Sequence, residues 1–141
     1  MALKDIRPAL RAFLAANSVI AGLVVAGGTT RIYPVKLPQG TTAASIVYNE
    51  ISGVGDHTMQ GASGLVAVRM QIAAWAQTAD AAHALFLAVK DILDGFAGIM
   101  GSGAAAVTVQ GVFIDTWRDI DDTEANLRGK VADYFIHYEE R

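Results

Sequence analysis

From Leu65 to Ala76 the chain reads Leu-Val-Ala-Val-Arg-Met-Gln-Ile-Ala-Ala-Trp-Ala. Taken every second residue, one side is Val66, Val68, Met70, Ile72, Ala74 and Ala76, all apolar. The other side is Leu65, Ala67, Arg69, Gln71, Ala73 and Trp75, which is mixed. A period of two with one apolar face is the pattern of a strand packed on a core. At roughly 3.3 Å per residue this strand runs about 40 Å, long for a small domain. It is the expected centre of an antiparallel sheet. Its second face is too apolar for free solvent and too polar for a core, which points to a subunit interface that includes Arg69 and Trp75.

The flanking patterns fill in a fold. Ile6, Ala9, Leu10, Phe13 and Leu14 form one apolar helical stripe, with Lys4, Arg7 and Arg11 opposite and Pro8 in the first turn. Asn17-Ser18 reads as a helix stop and a new N-cap for a short helix through Val19 to Val24, ended by Gly27-Gly28. Arg31-Ile32-Tyr33 is a short strand stopped by Pro34, and Leu37 to Gly40 is a turn. Ala44 to Ile51 is a second strand, with Ile46 and Tyr48 on one face and Val47 and Ile51 on the other. Gly53 to Gly64 reads as a long polar loop. Thr78 or Asp80 caps the main helix, whose wide stripe of Ala81, Ala82, Leu85, Phe86, Ala88, Val89, Ile92 and Leu93 fits a helix lying flat on a sheet. Gly95 is its C′ residue, and Gly98 to Ala106 reads as a flexible connection. Two strands follow, Val107 to Asp119 with a bulge at Gly111, and Lys130 to Glu139, with the acidic stretch Asp119 to Asn126 as a hairpin loop. The expected order is α-α-β-β-β-α-β-β. That is an α+β fold with an antiparallel sheet of about four strands and helices on one face.

The 141 residues fit one domain, residues 1–141. Hydrophobic residues are 52% of the chain and charged ones only 18%, so apolar surface is left over. No apolar run reaches the roughly 18 residues of a membrane span, so assembly with copies of itself is the expected outlet. Lys4, Arg7 and Arg11 before an apolar stretch resemble a signal peptide, but Asp5, Pro8 and Asn17-Ser18 interrupt that pattern. The net charge is −3 and there is no lysine or arginine cluster, hence no footprint for tight nucleic-acid binding. Cysteine is absent, which excludes disulfides and thiolate chemistry and fits a reducing compartment.

The sequence offers little chemistry. Gly61-Ala-Ser63-Gly64-Leu65 approaches a nucleophile elbow, but its last position is leucine and a strand follows it instead of a helix. His57, His83 and His137 lack ligand spacing. Asp119, Asp121, Asp122 and Glu124 lack the glycine of a calcium loop. The glycines from Gly95 to Gly103 follow a helix and do not open one, so they form no phosphate cradle. Trp75 and Trp117 are strand residues suited to anchoring an interface. No catalytic, cofactor or metal residue is expected. The interface residues are Arg69, Trp75, Trp117, Asp121 and Asp122.

Several short motifs occur in a fixed order: Arg31-Ile-Tyr-Pro, Leu37-Pro-Gln-Gly, Ile46-Val-Tyr, Ile51-Ser-Gly, Ser63-Gly-Leu, Gln71-Ile with Trp75-Ala, Leu93-Asp-Gly-Phe, Gly111-Val-Phe-Ile-Asp with Arg118-Asp, and Asp133-Tyr. In this order they resemble the tail-completion, or tail-terminator, proteins of long-tailed bacteriophages and prophages, over nearly the whole chain. A proline expected before Ile46 is replaced by Ala44-Ser45, which bears only on where that strand starts. The resemblance implies a structural, non-enzymatic virion protein. It implies a ring, typically a hexamer, that ends the tail tube and joins it to the head connector. The implied partners are copies of itself, the tail tube protein and the connector protein, with DNA only passing through the lumen and no membrane. The implied place is the virion tail, assembled in the bacterial host cytoplasm. A neck or connector protein of the same particle is the nearest alternative. A small hydrolase or ligand-binding α+β domain is the alternative from another class.

Overall fold

The structure, a computed structural model, describes residues 3–26, 28–124 and 126–141. Gly27, named above as part of a helix stop, and Ala125, in the acidic stretch, lie outside the described residues.

Helix α1 spans Ile6–Ala16 and α2 Ser18–Val24. Asp5 caps α1 by accepting from the Arg7 amide. Asn17 ends α1 and caps α2, its Oδ1 accepting from the amides of Val19 and Ile20. Ile6, Ala9, Leu10 and Leu14 are buried, as their spacing requires. Helix α2 stops at Val24 without the glycine pair. Strands β1 (Val25–Ala26) and β2 (Thr29–Thr30) follow as a small antiparallel ribbon, with Gly28 at φ +80°.

The main sheet has six strands: β3 (Ile32–Pro34), β4 (Ser45–Thr58), β5 (Gly61–Ala76), β6 (Gly98–Met100), β7 (Val107–Asp122) and β8 (Leu127–Glu139). Their order is β3-β4-β5-β8-β7-β6. Helix α3, Ala79–Leu93, lies between β5 and β6 in the chain, capped by Thr78, with Gly95 at φ +82° just beyond it. Helices and one face of the sheet share a core. Ile46, Tyr48, Val68, Met70, Ile72, Ala132, Tyr134 and Ile136 meet Leu10, Ile20, Leu85 and Val89 there. The apolar face of β5 is thus the helix-covered one.

The structure corrects four expectations. The mixed α+β class holds, but the sheet has six strands, not about four, and β3 pairs parallel to β4. Gly98 to Ala106 is no loose connection: β6 pairs with β7, Met100 is fully buried, and Lys4 Nζ donates to the Ala106 carbonyl at 2.6 Å. Gly53 to Gly64 is not a polar loop but the far end of the β4–β5 hairpin, paired as far as Thr58↔Gly61. Its residues look like a loop because the ribbon extends past the helices and has no face to bury, so no alternation marks it. Finally, Asp119, Asp121 and Asp122 lie on β7, not in a loop. Asp119 is level with Lys130 and Asp121 with Arg128. Cross-strand ion pairs at 3.5 and 3.1 Å hold these carboxylates in the ladder.

Candidate assembly surfaces

On the sheet face away from the helices, Val47, Ala73 and Val131 are buried, with Leu37, Trp75 and Ile120 packed over them. Leu37 brings the loop after β3 onto this face, and a recess beside it is bounded by residues 37–42, Asp122 and Glu124. Trp75 lies on bare backbone. A Cβ at Gly129 would stand 2.8 Å from Trp75 Cε3 and 2.9 Å from Ile120 Cγ1.

Further along the same face, Arg69 Nη2 donates to Asp133 Oδ2 at 2.6 Å and Nε to the same oxygen at 3.2 Å. Nη2 is also 3.2 Å from Asp115 Oδ2, and the guanidinium lies 5.4 Å from the Phe135 ring centroid. The hydrogen bond to Asp133 pushes the guanidinium pKa further up, so Arg69 is a fixed cation. One side chain of β5 thereby ties together β8 and β7.

The face ends in an open groove of about 480 Å³ lined in part by Leu65, Phe113, His137 and Tyr138. Phe113 is 57% exposed, with His137 edge-on at 5.7 Å. Beyond the groove the β4–β5 ribbon stands clear of the body, and every residue from 50 to 63 is exposed. Val54 on it is 68% exposed and Met59 fully so.

The five residues singled out from sequence do not converge on one spot. Arg69 and Trp75 share a strand on the uncovered face, and Asp122 borders the recess at its end. Trp117 lies on the helix side, 5.9 Å from Phe86 and still 49% exposed, with Lys90 Nζ 6.0 Å from its ring. Asp121 is level with Arg128. Arg69 and Trp75 are both engaged within the chain, Arg69 with Asp133 and Asp115 and Trp75 over Gly129. Sequence reading missed the Phe113–His137 groove. Its one signal was an aromatic residue two positions after the expected bulge at Gly111.

Catalytic geometry does not assemble from the weighed motifs. Ser63 is in the exposed ribbon, its hydroxyl donating to the Asp56 carbonyl and accepting from the Leu65 amide. The histidines sit on three different elements: His57 on β4, His83 on α3 and His137 on β8. Among the described residues no three acidic or histidine side chains are grouped to hold a metal ion. No described helix is long and apolar enough to cross a membrane.

Comparison with known proteins decides the family. The model of the family described as tail completion protein gp17 matches residues 8–139. The chain belongs to that family. As a tail completion protein it is a structural component of a phage-type tail. Among solved structures, one titled "Virion of native gene transfer agent (GTA) particle" superimposes with a TM-score of 0.70 at 21% identity. The match covers 94% of this chain and 92% of that chain, a likeness of fold. A search of curated protein sequences gives no match.

Proposed function

We propose that this tail completion protein forms a ring, of six copies, at the head-proximal end of the tail tube. The ring ends tube growth and presents one face to the head connector. The family match over residues 8–139 carries this reading. The surface supports it: Phe113, Val54, Met59 and Trp117 leave apolar area in separate places. Separate patches on one molecule suit a heterologous contact, which closes into a ring. Residues 1–141 act as one unit in this ring, assembled in the host cytoplasm and carried in the virion tail.

Arg69, Trp75, Trp117, Asp121 and Asp122 belong to the contact surfaces in this reading. The acidic stretch Asp119 to Glu124, at the end of the β7–β8 hairpin, faces the lumen or the tube-contacting rim. Net charge −3 suits a channel through which DNA slides, because lysines and arginines would hold its phosphates. The test is the tail of a phage lacking the protein. Tubes of uncontrolled length, unjoined to heads, are expected. Tubes of normal length with only the connector missing would assign the protein to the neck instead.

A further inference from the structure

Each side of the sheet carries a long strand that its short neighbour covers over only three residues. On one side β3 pairs with β4 from Ile46 to Tyr48, and among the described residues no strand lies on the outer side of Asn49–Thr58, whose inner side pairs with β5. On the other side β6 pairs with β7 from Val107 to Val109. The segment after α3 then meets β7 briefly, where the Gly95 amide donates to the Val112 carbonyl and the Ile114 amide to Asp94 Oδ1. Past that point, among the described residues no strand lies on the outer side of Asp115–Asp121, whose inner side faces β8. Such open edges are templates for a further strand, and a solitary protein normally blunts them.

We propose that these two half-edges pair with each other between neighbouring copies, β4 of one with β7 of the next, making the sheet continuous around the ring. This rests on the ring reading above and adds which surfaces close it. Three features support it. The first is direction. β4, β5, β8 and β7 alternate, so β4 and β7 run opposite ways. Rotation about a ring axis keeps each strand's sense, so the joint is antiparallel and of the ordinary kind.

The second is stagger. The open part of β4 centres near Val54, level with Ala67 of β5. The open part of β7 centres near Arg118, level with Val131 and through it with Ala73. From Ala67 to Ala73 is about 20 Å along the strands, at roughly 3.3 Å per residue. Four strands at roughly 4.8 Å span about 19 Å across. Joining the half-edges therefore inclines the strands by about 45° to the ring axis, close to the 35–45° at which sheets ordinarily close. Both edges also carry register irregularities, between Glu50 and Ser52 and between Ile114 and Trp117. Bulges of this sort add the twist that closure needs.

The third is side-chain fit. With Val54 opposite Arg118, Trp117 stands opposite Gly55, and Gly55 and Trp117 are both helix-side residues, level with Val66 and Ala132. An exposed tryptophan beside an edge glycine covers the bare backbone.

The native chain has no cysteine, so engineered pairs report cleanly. In the full-length protein, Val54→Cys with Arg118→Cys, or Ser52→Cys with Arg118→Cys, should link neighbours on mild oxidation. Most of the chain should enter a ladder of multimers ending in one closed species. Leu87→Cys with Arg118→Cys, which places one thiol on the exposed side of α3, should give no ladder. Light scattering on the reduced variants checks that they assemble like the parent. If the parent is a ring but neither edge pair links above the Leu87 control, edge pairing is wrong and the ring reading stands. If the parent remains a monomer even when concentrated, the ring reading fails and edge pairing with it.

Discussion

Gly129 shows how little room the uncovered face leaves. It is the bed for the Trp75 ring, and any side chain there meets Trp75 and Ile120 below 3 Å. Gly129→Ala should cost about 1–3 kcal/mol through this overpacking, read as a lower urea midpoint. Tyr134 is the opposite case. It is fully buried, and its hydroxyl finds no hydrogen-bond partner among the described residues. Burial pushes its phenol pKa well up, and the Asp94 carboxylate adds to that. Tyr134→Phe removes a desolvated donor, so stability at neutral pH should hold or rise by up to about 1 kcal/mol. The sign with pH follows. A phenol whose folded pKa is raised contributes its full stability below the unfolded value, about 10, and progressively less stability above it. Tyr134→Phe should therefore soften the fall in stability above that pH.

Among the elements, α1 depends on its first turn. Asp5 caps it and also binds Arg7, Nη2 to Oδ2 at 2.9 Å. That side-chain hydrogen bond holds the Asp5 pKa below its ordinary value. The carboxylate's contribution is complete above about pH 4 and disappears as pH falls through the lowered folded value. Asp5→Ala should cost about 1 kcal/mol at pH 7, and thermal melts of mutant and parent should converge in acid. The helices were legible in the sequence because each has a buried stripe; Asn17-Ser18 reads as a stop followed by a new N-cap, and the structure gives both roles to Asn17, with Ser18 the first residue of α2. The faces of β5 and β8 were legible because one side is core. Where a strand leaves the helix layer the signal ends. Ser52 to Ser63 has both faces in water, so nothing forces alternation, and its glycines read as a loop. The acidic stretch misled for another reason. Asp119 and Asp121 mirror Lys130 and Arg128 across the turn, a pairing that only the register reveals. Composition announced surplus apolar surface, but the contacts of Arg69 and Trp75 within the chain are tertiary facts that no local pattern carries.

At the scale of the whole molecule, several features are left unused by one copy. There are two diagonal half-edges, a projecting ribbon and an apolar groove, on a body whose helix side already has its own core. Reversing charge at Asp121 and Asp122 together should disturb tail joining or DNA passage, visible as reduced phage titre with intact heads and free tails. Full infectivity would remove the hairpin end from the rim. The central claim is that copies of this chain close on themselves. Light scattering of the purified protein across a wide concentration range tests it most directly. The account predicts a species about six times the 14.8 kDa chain mass at high concentration. A steady 14.8 kDa monomer at every concentration contradicts it.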